Sequence, residues 1–82
     1  MIPRIKKIEA RKELKLFVVF DDGVMVLYDV NDDIKEIKEF SLLKSEVGLF
    51  ENFRLDESRT CVMWSEQIDL PSDTIYEYGK RI

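Results

Sequence analysis

The side chains that most often perform acid-base and nucleophilic chemistry are scarce in this chain. It contains no histidine, which removes the commonest general base, the commonest zinc ligand and every Ser-His or Cys-His nucleophile arrangement. Two carboxylate pairs, Asp21-Asp22 and Asp32-Asp33, are candidates for acid-base work. Both pairs stand where turns and helix starts already favour Asp, so we interpret them as structural residues and predict no catalytic site.

The remaining candidate for nucleophilic chemistry is a single cysteine, Cys61, in a β-prone apolar run. That setting favours packing over a reactive thiolate, and one cysteine excludes an internal disulfide. The acidic spacing over residues 29–33 imitates the start of a calcium loop, but Ile34 and Phe40 occupy the positions of its Gly and its bidentate Glu. Three isolated glycines cannot form a phosphate-binding loop. We predict neither a metal nor a cofactor.

Charge is distributed unevenly along the chain, whose net charge is −4. The first 15 residues are basic and the remainder is acidic. We expect the basic segment to lie beside acidic neighbours in the fold, but a second hypothesis is that it meets an anionic partner. The candidates for such contacts are Arg4, Lys6, Lys7, Arg11 and Lys12. A sequence pI near 4.8 and the lack of a basic-aromatic signature argue against direct nucleic-acid binding.

Residues 14–30 predict a β-hairpin, because two apolar, β-prone runs flank Asp21-Asp22-Gly23. A two-residue loop would place charged residues within the apolar faces. A three-residue loop with Gly23 in the left-handed conformation places Phe20 opposite Val24 and makes one face of the hairpin wholly apolar. We therefore predict the three-residue loop.

The second face of this hairpin is also apolar. It carries Phe17, Val19, Met25 and Leu27, although a half-exposed antiparallel sheet normally presents polar side chains there. Either another element of the domain or another protein chain must cover these residues. They are our first candidates for protein interaction. Tyr76 and Tyr78 are the others, since two residues at this spacing cannot share one helix face.

The rest of the chain predicts a small α+β domain spanning residues 1–82. A short helix should begin near Asn31, a second hairpin should join residues 49–56 to residues 59–66, and Gly79 should end a final helix capped by Asp69 or Ser72. Residues 41–48 fit either a helical turn or an irregular cover. The expected order is β-β-β-α-β-β-α, with an antiparallel sheet built from two hairpins and an N-terminal edge strand.

Several short segments of the sequence form a recognisable pattern when they are taken together. These are Phe20-Asp21-Asp22-Gly23, Asp29-Val30, Leu42-Leu43, Phe50 and the run WSEQIDLPSDTIY over residues 64–76. They resemble the bacterial domain-of-unknown-function family numbered 2442, over nearly the whole chain. The family's Gly after the Trp strand is absent from Glu66-Gln67. The resemblance implies a small α+β domain without an established activity; some members are joined to a DNA-binding segment or paired with another small protein, as in toxin-antitoxin-like pairs.

These observations predict a non-enzymatic interaction module that binds a partner chain or self-associates as a homodimer through the second hairpin face. One alternative is an antitoxin-like regulator acting through its basic first strand, and another is a small enzyme using Asp21, Asp22 or Cys61. The chain begins without a signal-peptide pattern, and its longest uncharged apolar stretch, residues 16–20, is too short to span a membrane. We expect a soluble, cytoplasmic protein.

Overall fold

In the computed structural model, which describes residues 2–82, the chain begins with three antiparallel strands, β1 (Ile5–Arg11), β2 (Lys15–Phe20) and β3 (Met25–Asp29). The predicted three-residue loop between β2 and β3 is confirmed. The Phe20 N–H donates to the Val24 carbonyl at 2.9 Å, and Gly23 has a φ of +90°, in the left-handed region that favours glycine. Val18 consequently lies opposite Val26, and both are fully buried.

The register of this hairpin also places two opposite charges side by side. Lys15 lies opposite Asp29. However, the Lys15 Nζ lies 4.0 Å from the Glu13 carboxylate, while the Asp29 carboxylate accepts hydrogen bonds from Asn31. The Asp29 side chain therefore organises the chain where β3 ends and the first helix begins.

A helical segment follows β3 and covers part of the core. It consists of α1 (Asn31–Glu36), a 3-10 helix (Lys38–Ser41) and α2 (Leu42–Ser45). The helix begins at Asn31 as the sequence predicts, although no side chain caps it. Phe40 and Leu43 are buried, so the segment after residue 40 contains a helical turn that also serves as cover.

The second hairpin is shorter than the predicted one and belongs to a separate three-stranded sheet. The strands of this sheet are β4 (Arg54–Leu55), β5 (Cys61–Met63) and β6 (Asp69–Pro71), and β4 and β5 form the hairpin. Residues 49–51 form a turn instead of a strand. The Trp64 indole N–H donates to the Phe50 carbonyl at 2.8 Å, so a side chain rather than a strand satisfies this backbone group.

The chain ends with α3 (Ser72–Tyr78) and a short strand, β7 (Lys80–Arg81). Neither Asp69 nor Ser72 caps α3: Asp69 lies in β6, and the buried Ser72 hydroxyl donates to the Pro3 carbonyl at 2.6 Å. Gly79 ends the helix as predicted. The strand β7 then pairs with β3, giving a four-stranded sheet in the order β1-β2-β3-β7.

The predicted α+β class and the broad order of strands and helices are confirmed. The strands are divided between two small antiparallel sheets instead of one, with short strands added before and after α3. Arg59 joins the two sheets: its guanidinium binds both Asp21 carboxylate oxygens at 2.9 and 2.8 Å, and its carbonyl accepts the Ile5 N–H at 2.8 Å. None of the helices within residues 2–82 has the length and apolar character needed to cross a membrane.

Gly79 allows the end of α3 to approach β3 closely. A Cβ at this position would lie 2.6 Å from the Ile75 carbonyl oxygen and 3.0 Å from the Val26 Cβ. Because neither neighbour is a flexible side-chain end, we expect Gly79→Ala to lower the free energy of unfolding by about 1–3 kcal/mol in chemical denaturation. Unchanged stability of Gly79→Ala would contradict this close packing.

Candidate interaction surface

The four apolar residues singled out on the second hairpin face form one continuous patch. Phe17 lies opposite Leu27 and Val19 opposite Met25 in the register of β2 and β3. Side chains alternate between the faces of a strand, so all four point away from the buried residues of the same strands. We call Phe17, Val19, Met25 and Leu27 the outer strip.

The outer strip lies outside the hydrophobic core. Phe17, Val19 and Leu27 are half-buried, and Met25 is 42% exposed. None of the four belongs to the core cluster or to the partly buried residues packed against it. The helices bury Phe40, Leu43 and Ile75 in that core. The outer strip therefore lies outside the core and remains partly exposed.

The structure adds a fifth apolar residue that the sequence analysis missed. Lys80 lies opposite Leu27, and the Ile82 N–H donates to the Met25 carbonyl at 3.1 Å. Ile82 therefore lies beside Met25 on the same face, and its side chain is 61% exposed. A two-residue strand leaves no periodic pattern in a sequence, so the only available signal was the terminal isoleucine itself.

A row of charges on β1 borders the outer strip. Lys7 lies opposite Val19, Glu9 opposite Phe17 and Arg11 opposite Lys15. The Glu9 carboxylate is 2.9 Å from both Lys7 and Arg11. The hydrogen bond from Lys7, together with the charges of Lys7 and Arg11, lowers the pKa of Glu9 below its usual value. The Arg11 guanidinium also lies 4.7 Å from the centre of the Phe17 ring.

The charge of this face is opposite in sign to that of the whole protein. The register places six charged residues on it or at its border: Lys7, Glu9, Arg11, Lys15, Asp29 and Lys80. Four are basic and two are acidic, which gives this face a net charge of +2 in a chain of net charge −4. The strands of this face therefore combine an apolar centre with an excess of basic residues, while Asp32, Asp33 and Glu36 line the adjacent cleft.

The two candidate tyrosines have different surroundings. Tyr78 is 74% exposed and lines a cleft of about 500 Å³ at the margin of the outer strip, together with Leu27, Lys80 and four acidic residues of β3 and α1. Tyr76 makes contacts within the chain: its ring meets Phe20 edge-on at 4.9 Å, and its hydroxyl donates to Asp22 at 2.7 Å. Tyr78 extends the candidate surface, whereas Tyr76 lies away from it.

The five basic candidates do not form a single patch. Lys7 and Arg11 lie beside the outer strip and share Glu9. Arg4 lines a different cleft, near Asp21. Lys6 is exposed next to a bulge in β1, and Lys12 is exposed in the turn that follows this strand. The structure thus separates these residues in space, and acidic side chains accompany three of them.

The candidate catalytic groups have structural partners. Asp21 binds Arg59, while Asp22 accepts hydrogen bonds from the Tyr76 hydroxyl and the Val24 N–H. These hydrogen bonds lower the pKa of each carboxyl group. Burial raises the pKa of Asp33, although its carboxylate accepts a 2.7 Å hydrogen bond from Tyr28. Burial also raises the pKa of the half-buried Cys61 thiol, which disfavours the reactive thiolate.

A larger cleft of about 1150 Å³ lies where the first hairpin turn, the turn at residue 58 and α3 meet. Asp21, Asp22 and Tyr76 line it, and each has a partner within the chain. No buried side-chain nitrogen or oxygen in residues 2–82 lacks a hydrogen bond. In the same part of the chain, no three Asp, Glu, Cys or His side chains are grouped to hold a metal ion. The side chains of Asp21, Asp22 and Tyr76 in this cleft therefore join structural elements to one another.

The chain has no match among protein-family models, curated proteins or solved structures. Function is therefore inferred from the geometry of the outer strip and its border.

Proposed function

We propose that this chain is a non-enzymatic protein-interaction module that binds a partner protein through the outer strip. The observation that carries the proposal is the position of four apolar side chains in adjacent strands, outside the core. Burying such a patch against another protein removes apolar area from water, at about 25 cal/mol per Å². The proposal includes a cytoplasmic setting and membership of the bacterial family numbered 2442.

The border of the strip indicates what kind of partner fits. A net charge of +2 around the apolar centre favours a partner whose own apolar patch is flanked by acidic groups. Two copies meeting strip to strip would bring two positive borders together. We therefore assign this surface to a different protein and not to a second copy.

The geometry gives less support to the other two hypotheses. An anionic target of the basic segment would have to compete with Glu9 for Lys7 and Arg11, and the remaining basic residues are dispersed. An enzyme using Asp21, Asp22 or Cys61 would have to disrupt the first hairpin turn or deprotonate a thiol whose pKa burial raises.

Introducing two carboxylates into the outer strip tests the proposal. We expect Phe17→Glu with Leu27→Glu to abolish capture of the cellular partner, because the change places charges at the centre of the apolar patch. The measurement is affinity capture from the native cell followed by titration of the purified partner, in which salt should weaken wild-type binding.

Two other exposed apolar residues supply a matched control. Ile37 and Leu42 are 40% and 44% exposed and belong to the helical segment. Ile37→Glu with Leu42→Glu should retain the partner. Circular dichroism must show that both double variants are folded. A folded outer-strip variant that keeps wild-type affinity would refute the proposal.

A further inference from the structure

The outer edge of β1 carries open backbone groups. The orientation of these groups follows from the hydrogen bonds of β2. The Val30 N–H donates to the Leu14 carbonyl and the Phe20 N–H to the Val24 carbonyl, so the even-numbered residues of β2 direct their backbone groups toward β3. The odd-numbered residues of β2 therefore bond to β1, where their partners are Lys7, Glu9 and Arg11. It follows that Ile8 and Ala10 direct their N–H and C=O groups away from β2. Within residues 2–82, no strand pairs with this edge.

The side chains along this edge do not protect it in the usual way. Natural sheet edges are often defended by charge, because like charges oppose one another when two edges meet. Here the charges of Lys7, Glu9 and Arg11 alternate in sign on one face, while Ile8 and Ala10 face the core side. An alternating row is complementary to an antiparallel copy of itself in certain registers.

We propose that two copies of this chain pair through β1, antiparallel, about a twofold axis at Ile8. Ile8 then lies opposite the partner's Ile8, and the two exchange both N–H···O bonds. Lys7 lies opposite the partner's Glu9, and the twofold axis repeats this ion pair. The bulge between Ile5 and Lys7 interrupts the strand on one side, so the regular paired stretch is short and centres on residues 7 to 9.

Two neighbouring registers are less favourable, one because like charges meet and the other because the strand is too short. An axis at Glu9 would place Lys7 opposite the partner's Arg11 and the two Glu9 carboxylates against each other. An axis at Ala10 would need residues beyond Arg11, but Glu13 and Leu14 have φ values of 62° and 59° and have left the strand. At the other end, the Ile5 N–H is already bonded to the Arg59 carbonyl.

The pairing has a consequence for display of the outer strip. A twofold axis perpendicular to the sheet joins two four-stranded sheets into one of eight strands, with both outer strips on the same side. The dimer would present two binding surfaces to one partner assembly and would raise its avidity. The dimer contact itself does not depend on what the outer strip binds.

Charge reversal tests the register through the oligomeric state. We expect the purified chain to approach twice its 9.8 kDa mass in sedimentation equilibrium at up to about 1 mM, since small interfaces have micromolar to millimolar dissociation constants. Glu9→Lys should raise the dissociation constant at least about tenfold, and Lys7→Glu with Glu9→Lys should restore it. A monomer at every concentration, a dimer indifferent to Glu9→Lys, or failure of the double exchange would each overturn the proposal.

Disulfide trapping supplies an independent readout of the register. In a Cys61→Ala background, chains with Lys7→Cys are mixed with chains with Glu9→Cys and mildly oxidised. The proposed pairing brings the two Cα atoms to about 4.5 Å, within disulfide range, so the mixture should crosslink and neither variant alone should do so. Strong crosslinking of Glu9→Cys alone would show a different register and overturn the proposal.

Discussion

Trp64→Ala is expected to lower the free energy of unfolding by about 3–5 kcal/mol. Trp64 is only 9% exposed and lies among three aromatic rings, those of Phe40, Phe50 and Phe53, with centroids 6.0–6.4 Å away. A domain of this length has a total stability of only about 4–12 kcal/mol. The substitution should therefore remove a large fraction of the total stability. Urea denaturation followed by far-ultraviolet circular dichroism measures the loss, because the chain has only one tryptophan for fluorescence.

A smaller substitution separates the packing of this side chain from its hydrogen bond. Trp64→Phe keeps an aromatic ring but removes the donor to the buried Phe50 carbonyl. Leaving that acceptor without a partner costs about 1–3 kcal/mol, so Trp64→Phe should fall between the wild type and Trp64→Ala. A Trp64→Ala variant that unfolds at the wild-type denaturant concentration would show that this aromatic cluster does not support the fold.

The same cluster explains why part of the second hairpin was wrong in the sequence-based prediction. Phe53 and Leu55 alternate as in a strand, but only residues 54–55 form one. Phe50 is buried against Trp64, 14 positions away in the sequence, and its carbonyl accepts the indole N–H. A contact of this kind overrides local β propensity and has no local pattern by which to find it.

The first hairpin could be predicted because its information is local. Gly23 selects the loop, the loop determines the register, and the alternation then assigns every side chain to a face. The outer strip follows from these steps alone. Ile82 and Lys80, by contrast, join this surface only because α3 returns the chain to β3. That return depends on the packing of Ile75 and Gly79, which no short window of the sequence describes.

The charge pattern of β1 could also be predicted only in part from the sequence. The sequence showed a basic segment and suggested acidic neighbours, but the neighbour of Lys7 and Arg11 is Glu9 of the same strand. Exposed ion pairs of this kind contribute little to stability. The alternation of these charges instead determines which strand can pair with the edge of β1. The sequence alone does not show this role, because only the register identifies the backbone groups that remain open.

Phe20→Ala should lower the free energy of unfolding by about 3–5 kcal/mol, a loss comparable with that of Trp64→Ala. Phe20 is fully buried, and its ring supports Tyr76 of α3 edge-on at 4.9 Å. Removing it leaves a cavity between the first hairpin and α3. Thermal and urea unfolding of the variant give the measurement.

Phe17→Ala is the matched control, since it removes the same ring from the same strand but from the opposite face. Phe17 is half-buried and lies outside the core, so its removal should cost only about 1–1.5 kcal/mol. A loss as large as that of Phe20→Ala would mean that the outer strip is part of the folded core. A small loss would mean that the large apolar side chain at position 17 contributes little to folding. Its presence on an open sheet face would then require another explanation, and binding of a partner supplies one.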